Sequence, residues 1–447
     1  MRSLHKHSIA IFALCIVETA TLLFAAAPVA LAAATVTLAT GGSAISADTN
    51  GTNGTGVYTA LAGPTVTEGA SGDIHNGTII LNVPTGFVFS TAAGSVTATV
   101  DNFNNCAANQ TTLLNKTSFQ TVTPTATTIT VSVTRATSGG CKDRIIWSGI
   151  AVRPTAGTPL ASGNVTKSGT SGITGVTTST NFGTLTEVPG ALDHFSFAAL
   201  GTQAAGVSFN VVMTAQDAFN NTATGFIGSV DLTTNAGIIA PVQSGTFTSG
   251  VRTESVTVSL AGSSKYITAT DPVSGKSSTT NTFTVNPGAF AKLQILVPGE
   301  TAAPGTVTGK TGAPTAQTVG APLSVTVNAV DSNWNAVSST DTVRITSSDV
   351  NATLPSNAAL VGGTKNFSVT LNTAGGATLT AADVTNVAIT ADTSPSITVN
   401  PATTTTALSS SGSPAVYGTS VIFTATVTPS TSGSPSGAVV FKDGAAT

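Results

Sequence analysis

Charged residues are scarce in this sequence. Asp, Glu, Lys and Arg make up 8% of the 447 residues, against about 25% in an ordinary soluble domain. The 16 Lys and Arg residues are scattered along the chain, and the formal net charge is only −3. A nucleic-acid-binding protein needs a clustered basic footprint to contact phosphates, so the composition argues against nucleic acid as a partner.

Residue types that usually carry catalysis are also few. The chain has four His residues, and only His75 and His194 lie beyond the N-terminal segment. No G-x-S-x-G sequence is present to supply an activated serine. His194 follows Asp193 directly, and adjacent side chains of a strand point to opposite faces. The sequence therefore predicts a protein that is not an enzyme.

Long apolar runs are absent after the N-terminus. Basic residues around Arg2 and Lys6 precede an apolar run over residues 9–27, and Ala30-Leu31-Ala32 fits the small-x-small cleavage rule. Glu18 interrupts the run, which disfavours a permanent membrane anchor. We therefore expect a signal peptide over residues 1–32, a secreted or cell-surface location, and no transmembrane span after signal removal.

Two cysteines, Cys106 and Cys141, remain after that cleavage. An even pair in an exported chain predicts a disulfide. Closing a loop of about 35 residues would stabilise the fold by about 3–4 kcal/mol in the chain-entropy description. No C-x-x-C spacing favours a metal or redox site instead.

Strict alternation of apolar and polar residues dominates the rest of the chain. Residues 78–83, 129–133 and 255–260 are clear examples, each bounded by Gly, Pro, Asn or Ser. This alternation is typical of half-buried strands, and no segment shows the apolar period of a helix. The sequence therefore predicts an all-β protein.

A tandem repeat organises the C-terminal half. The segment Pro189–Phe195 is echoed by Pro287–Leu293, 98 residues later, and the alternating strand 209–217 is echoed by 323–331 at an offset of 114. Both copies close on the same phrase, at 283–287 and 397–401. The predicted domains are a signal peptide (1–32), a distinct β-rich N-terminal domain of unknown type (33–188), an Ig-like repeat (189–287), a second Ig-like repeat (288–401) and a truncated Ig-like repeat (402–447).

The last of these domains is short for a sandwich. Residues 403–408, 421–427 and 438–444 read as three strands, whereas a sandwich of about seven strands needs about 100 residues. We therefore expect a truncated unit with exposed strand edges.

Two stretches carry a resemblance to a known family. The phrase Ala215–Asn221 resembles the strand-to-turn pattern of bacterial immunoglobulin-like domains in surface adhesins of the invasin and intimin type. Residues 418–429 and 435–444 resemble another bacterial Ig-like repeat family more closely. The resemblance covers about residues 190–447. It implies tandem β-sandwiches, an extracellular location and spacer or adhesive duty, and it implies no catalytic residues.

One motif has the residue types and spacing of part of a calcium-binding loop. The spacing of Asp331, Asn333 and Asn335 matches the first three ligands of a calcium loop, but the glycine at the sixth place and the Glu at the twelfth are missing. Asx residues also build turns without a metal, so we favour a structural turn. Calcium is kept as a weak alternative, with Asp271 or Asp341 contributing, and no other cofactor is expected.

Three further groups are candidates for chemistry, and each has a plainer interpretation. Gly305–Thr311 superficially resembles a phosphate loop but has the wrong glycine spacing, which favours a flexible excursion. Glu68 and Asp73 could form a carboxylate pair, but strand-end turn residues are the simpler interpretation. Five aromatic residues could form a platform that binds sugars, and the plainer interpretation is that they pack in the core of a sandwich: Trp147, Trp334, Phe87, Phe89 and Phe103.

The sequence as a whole predicts a non-catalytic exported cell-surface protein whose Ig-like repeats act as stalk or adhesion modules. Its partner would be an extracellular ligand, either a glycan or a matrix or host protein. The alternative is the accessory region, carbohydrate-targeting or spacer, of a larger secreted polysaccharide-degrading enzyme.

Overall fold

The computed structural model of the chain describes residues 32–102, 119–431, 435 and 437–444. Regular structure in these residues consists of β-strands and one short 3-10 helix, Ala47–Thr49, which confirms the all-β prediction. Within the described ranges, no helix is long and apolar enough to cross a membrane. The predicted signal peptide up to Leu31, together with Phe103 and Cys106, lies outside the described residues.

The chain divides into two compact units, one formed by residues 1–45 and 49–187 and the other by 46–48 and 188–447. The strands of the N-terminal part are β1 (Thr35–Thr37), β2 (Ile45–Ser46), β3 (Thr59–Ala60), β4 (Thr65–Thr67), β5 (Gly77–Asn82), β6 (Phe87–Phe89), β7 (Val96–Asn102), β8 (Phe119–Val122), β9 (Thr128–Val133), β10 (Asp143–Ser148), β11 (Ala151–Pro154), β12 (Ser162–Ser168) and β13 (Gly183–Val188).

Three sheets build this N-terminal module. Two have five strands, in the orders β1-β4-β10-β7-β8 and β2-β13-β12-β5-β9, and a smaller one has the order β3-β11-β6. Alternate side chains of β5, β9 and β10 are buried, as the alternation in the sequence predicts. They meet in one core around the fully buried Trp147, with Phe87 and Phe89 packed beside it.

The predicted first repeat, residues 189–287, contains a core cluster of its own between Phe195 and Val285. Its strands are β14 (His194–Phe197), β15 (Gln203–Ala204), β16 (Phe209–Gln216), β17 (Asp231–Thr234), β18 (Ile239–Ala240), β19 (Val251–Val258), β20 (Gly262–Lys265), β21 (Ile267–Thr270), β22 (Ser277–Thr279) and β23 (Phe283–Asn286). They form sheets in the orders β14-β16-β19-β18, β15-β23-β20 and β17-β21-β22. Edge-to-face contacts of Phe226 with Phe195 and Phe247 fill part of the core.

The second repeat, residues 288–401, follows the same plan. Its strands are β24 (Lys292–Leu296), β25 (Glu300–Ala302), β26 (Lys310–Gly312), β27 (Gln317–Thr318), β28 (Pro322–Val330), β29 (Thr342–Ser347), β30 (Ala358–Ala359), β31 (Thr364–Thr370), β32 (Gly375–Ala377), β33 (Leu379–Asp383), β34 (Asp392–Thr393) and β35 (Ile397–Asn400). The parallel pairing of Gln203 with Val285 recurs as Gln317 with Val399. Strands β25 and β26 form a two-stranded ribbon without a counterpart among the strands of the first repeat.

The third unit, residues 402–444, is a hairpin of β36 (Thr404–Ser410) and β37 (Phe423–Pro429). Its side chains are mostly exposed, Leu408 and Phe423 among them. The predicted third strand at 438–444 is wrong for the described residues, because that segment has no strand assignment. An extended segment becomes a strand only when its backbone groups pair with a neighbour.

The sandwich prediction for the tandem repeats is confirmed by this arrangement. Each repeat packs alternating residues from facing sheets into a core of its own, drawn from Phe195–Val285 in one case and Leu293–Val399 in the other. Each module can therefore hold its shape without burying surface against a neighbour.

Candidate functional site

The contact region between the first and second repeats is the most elaborate polar site of the C-terminal unit. We call it the joint and define it by three segments: the linker Pro287–Gly288, the turn Asp331–Asn335 of the second repeat, and Ser259–Ala261 of the first repeat. The turn follows the end of β28, so a strand of the second repeat aims it at the first.

Asp331 holds the joint together from its centre. Its carboxylate is fully buried, and Oδ1 accepts hydrogen bonds from the backbone N–H groups of Asn333 (2.8 Å) and Asn335 (2.9 Å). Oδ2 accepts from the N–H of Gly288 in the linker (2.8 Å) and from Nδ2 of Asn335 (2.9 Å). Four donors compensate for the loss of water around the buried charge.

Asn335 extends this network into the neighbouring repeat. Its side chain is 2% exposed. Nδ2 donates to the carbonyl oxygen of Ser259 at 2.9 Å, and Oδ1 accepts from the N–H of Ala261, also at 2.9 Å. One amide side chain therefore satisfies two backbone groups of the first repeat while it braces Asp331 in the second.

The first repeat carries the same turn at the same place. Asp217 Oδ1 accepts from the N–H groups of Phe219 and Asn221, and Oδ2 accepts from Gly190 and from Nδ2 of Asn221. Burial opposes ionisation of Asp217, but these hydrogen bonds outweigh it and lower its pKa. Asn220 and Trp334, at equivalent places, both have left-handed backbone conformations, with φ of 65° and 69°.

The geometry of this turn bears on the calcium candidates. Calcium is bound by six to eight oxygen atoms, whereas both oxygens of Asp331 face N–H donors and Oδ1 of Asn335 faces Ala261. This is the pattern of an Asx turn. Across the described ranges, no group of three or more His, Cys, Asp or Glu side chains is placed to hold a metal ion. The structural turn stays the prediction for Asp331, Asn333 and Asn335, and calcium binding stays the alternative that a titration would test.

The other two residues named for calcium take part in local hydrogen bonds. Asp271 accepts from the N–H groups of Val273 and Ser274 and from the Ser274 hydroxyl. Asp341 donates its backbone N–H to the Ser339 hydroxyl. Neither residue is bonded to Asp331.

The two tryptophans do not form an open platform. Trp147 is fully buried in the N-terminal module. Trp334 lies under Lys292, whose Nζ is 3.3 Å from the ring centroid. A side chain added at Gly309 would meet the Trp334 ring at 2.1 Å, so the backbone of Gly309 also presses on the ring. Both indoles are therefore structural.

Buried carboxylates gather at one end of the N-terminal module. Glu68 accepts hydrogen bonds from the N–H groups of Ile74 and Asp143 and from the Thr137 hydroxyl, and Asp73 accepts from two N–H groups of its own turn. The predicted pair is thus used to hold loops. Asp143 differs, because it is fully buried and neither carboxylate oxygen has a hydrogen-bond partner in the described structure. Burial, with Glu68 and Asp101 nearby, raises the pKa of Asp143 to about 6.

His194 has a different environment from the one predicted. Its Nδ1 lies 3.2 Å from Oδ2 of Asp193, because Asp193 precedes β14 and is not held to the alternation of a strand. Lys276 also pairs with Asp193, at 2.8 Å. In the described part of the chain no serine hydroxyl is hydrogen-bonded to His194, and the arrangement is that of a surface ion pair.

Two predictions concern other residues. Cys141 is 3% exposed, but Cys106 lies outside the described residues, so their disulfide stays a prediction. Gly305–Thr311 lies in the loop between β25 and β26 and at the start of β26. No helix follows it to aim a dipole at phosphate.

Comparisons with known proteins give a loose likeness only. No protein-family profile matches the chain, and no curated protein matches it. Among solved structures, the chain is similar to the Escherichia coli adhesin FdeC, with 14% identity and a TM-score of 0.29 over 84% of this chain and 100% of that one. It is also similar to the D0-D1 domain of intimin, with 17% identity and a TM-score of 0.19 over 46% of this chain and 97% of that one.

An enzyme is matched equally loosely. The β-glucuronidase of Parabacteroides merdae shares 10% identity with a TM-score of 0.19, over 46% of this chain and 24% of that one. These TM-scores, from 0.19 to 0.29, are too low to carry a conclusion about this chain. They assign no residue of this chain to a site.

Sequence reasoning missed the function of two residues, Asn335 in the joint and Asp143 in the N-terminal module. The sequence pattern favours Asn335 as part of a turn or as a metal ligand, whereas its side-chain amide bonds to both repeats. The spacing of the repeats is the only sequence signal that this turn lies near the end of a module. The burial of Asp143 has one weak signal in the sequence. Asp143 lies in the alternating strand β10, on the same face as the apolar residues Ile145 and Trp147.

Proposed function

We propose that this chain is a non-catalytic, exported protein of the bacterial cell surface whose Ig-like repeats act as stalk or adhesion modules. The observation that carries the proposal is the joint. A spacer must keep consecutive modules in a defined relation, and the short Pro287–Gly288 linker is tied down by Asp331. Asn335 adds hydrogen bonds to the preceding repeat.

The composition supports the same function. Thr, Ser, Gly and Ala are abundant in the chain and charged residues make up only 8% of it, a composition that suits a hydrated exterior of low charge. The N-terminal residues match a secretion signal. Because a fold does not by itself confer a function, adhesion would depend on loops or on the N-terminal module.

A binding screen tests the adhesive part of the proposal. The mature chain, residues 33–447, would be applied to arrays of glycans and of extracellular-matrix proteins, with a heat-denatured sample as control. We expect saturable binding to one class of ligand. Binding to neither class would restrict the function to that of a spacer, and hydrolysis of an arrayed polysaccharide would contradict the non-catalytic assignment.

A further inference from the structure

The second repeat contains an insertion that the first repeat lacks. The offset between equivalent residues is 98 at the linkers, Pro189 and Pro287, and 114 from Gln203 and Gln317 onward. Sixteen extra residues therefore lie between β24 and β27. They form the ribbon of β25 and β26, and we call residues 298–316 the strut.

One side of the strut is fixed to its own repeat. Lys310 Nζ lies 3.3 Å from a carboxylate oxygen of Glu300 and donates to the carbonyl oxygen of Ile295. The buried Gln294 donates from Nε2 to the carbonyl oxygen of Gly309 at 2.7 Å. Because Gln294 is 1% exposed, loss of that acceptor would leave a buried donor without a partner.

The tip of the strut reaches the first repeat. The hydroxyl of Ser259 donates to the carbonyl oxygen of Gly305 at 2.5 Å, and the N–H of Gly305 donates to the carbonyl oxygen of Asn333 at 2.9 Å. Gly305 has a φ of 76°. A Cβ at this position would lie 2.6 Å from Cβ and 2.9 Å from Cα of Leu260, so the two repeats are in close contact here.

The tip therefore contacts both sides of the joint at once. The carbonyl oxygen of Ser259 accepts a hydrogen bond from Nδ2 of Asn335, and the Ser259 hydroxyl donates one to the carbonyl oxygen of Gly305. A hinge between the repeats would have to break both contacts and separate Gly305 from Leu260. The contacts are buried, so water does not readily replace them.

We propose that the strut is a lock that fixes the angle between the two repeats, so that they move as one rigid body. The lock deepens the proposed stalk function and rests on it for its purpose, since a stalk gains reach when its joints do not bend. A chain with this joint intact holds a single inter-repeat angle in solution.

Distances between the repeats test the lock. Spin labels carried on non-canonical amino acids would replace Val273 in the first repeat and Val387 in the second, whose side chains are 93% and 90% exposed. Pulsed electron paramagnetic resonance on the mature chain then gives the distribution of the label separation. We expect one narrow distribution for the unaltered joint.

Two variants remove the lock in different ways. In the first, residues 298–316 are replaced by Leu200-Gly201-Thr202, the shorter equivalent from the first repeat, which leaves the buried Val297 in place. In the second, Gly305→Ala drives a methyl group against Leu260. We expect both variants to broaden the distribution at least twofold, or to shift it, while circular dichroism reports folded repeats.

Gly275→Ala is the matched control for the point variant. Gly275 has nearly the same backbone conformation, with a φ of 73°, but its Cβ would meet nothing within 4 Å. It should leave the distribution unchanged, which separates backbone strain from the clash with Leu260. A distribution that stays equally narrow in the Gly305→Ala and exchange variants would overturn the lock. That result would leave export and surface location untouched, because the measurement does not depend on them.

Discussion

At the scale of single residues, Asp143 stands out among the described side chains because it is fully buried and neither of its carboxylate oxygens has a hydrogen-bond partner there. A buried carboxylate without donors is more easily kept as the neutral acid, which agrees with the rise of its pKa to about 6. The folded state therefore holds the proton more tightly than the unfolded state does. Its stabilising contribution is complete below pH 4 and is lost as the pH rises through 6.

This linkage predicts a pH-dependent effect of Asp143→Asn. The quantity to follow is the free energy of unfolding of the N-terminal module in the wild type minus that in the variant. This difference should fall by about 1–3 kcal/mol between pH 4 and pH 7.5. Urea denaturation followed by the fluorescence of Trp147, in a Trp334→Phe background, measures it. A difference that does not change with pH would show that Asp143 is ionised in the folded module throughout this range.

Asn335 is the residue on which the joint depends most directly. Asn335→Ala removes its bonds to Ser259, Ala261 and Asp331, and buried groups left unpaired cost about 1–3 kcal/mol each. We expect the free energy of unfolding to fall by about 2–4 kcal/mol in urea denaturation monitored by circular dichroism.

Asn333→Ala is the control for that variant. Only the backbone N–H of Asn333 bonds to Asp331, and alanine keeps that donor. Its effect should stay within about 0.5 kcal/mol. Equal losses for the two variants would mean that the joint does not depend on the amide of Asn335.

At the scale of elements, the repeated Asp-x-x-x-Asn turn decides between a structural and a metal-binding function. Both oxygens of Asp331 accept hydrogen bonds from N–H donors. We therefore expect millimolar Ca²⁺ to leave the melting temperature of the mature chain unchanged. Differential scanning calorimetry in Ca²⁺, in Mg²⁺ and in EDTA measures this. A calcium-specific rise that Asp331→Asn abolishes would place the ion in this turn.

The strands themselves could largely be predicted from the sequence. Alternation over residues 209–216 and 129–133 coincides with β16 and β9, because alternate side chains of a strand face a core. The segment 438–444 shows the limit of that reasoning. Its apolar run Ala438–Phe441 favours a strand. A strand also needs a pairing neighbour, and a local sequence pattern does not show pairing over long sequence separations.

The joint could be predicted only in part, for the same reason. The duplication places equivalent turns at Asp217 and Asp331. It does not reveal that Asn335 reaches Ser259, 76 residues away, or that Gly305 meets Leu260. Local composition predicts a flexible excursion over residues 305–311. It does not reveal the hydrogen bonds that Gly305 makes with both repeats.

At the scale of the whole molecule, we propose an exported stalk made of sandwich modules in series. Each repeat buries its own core, and the joint adds a defined relation between two of them.

Surface labelling tests that central claim most directly. Intact cells that produce the protein would be treated with a membrane-impermeant amine-reactive biotin, and the captured chain would be sequenced from its N-terminus by mass spectrometry, with a cytoplasmic protein as control. We predict biotinylated protein that begins at Ala33. Protein that escapes labelling on intact cells, and that retains residues 1–32 in the cytoplasmic fraction, would contradict the account.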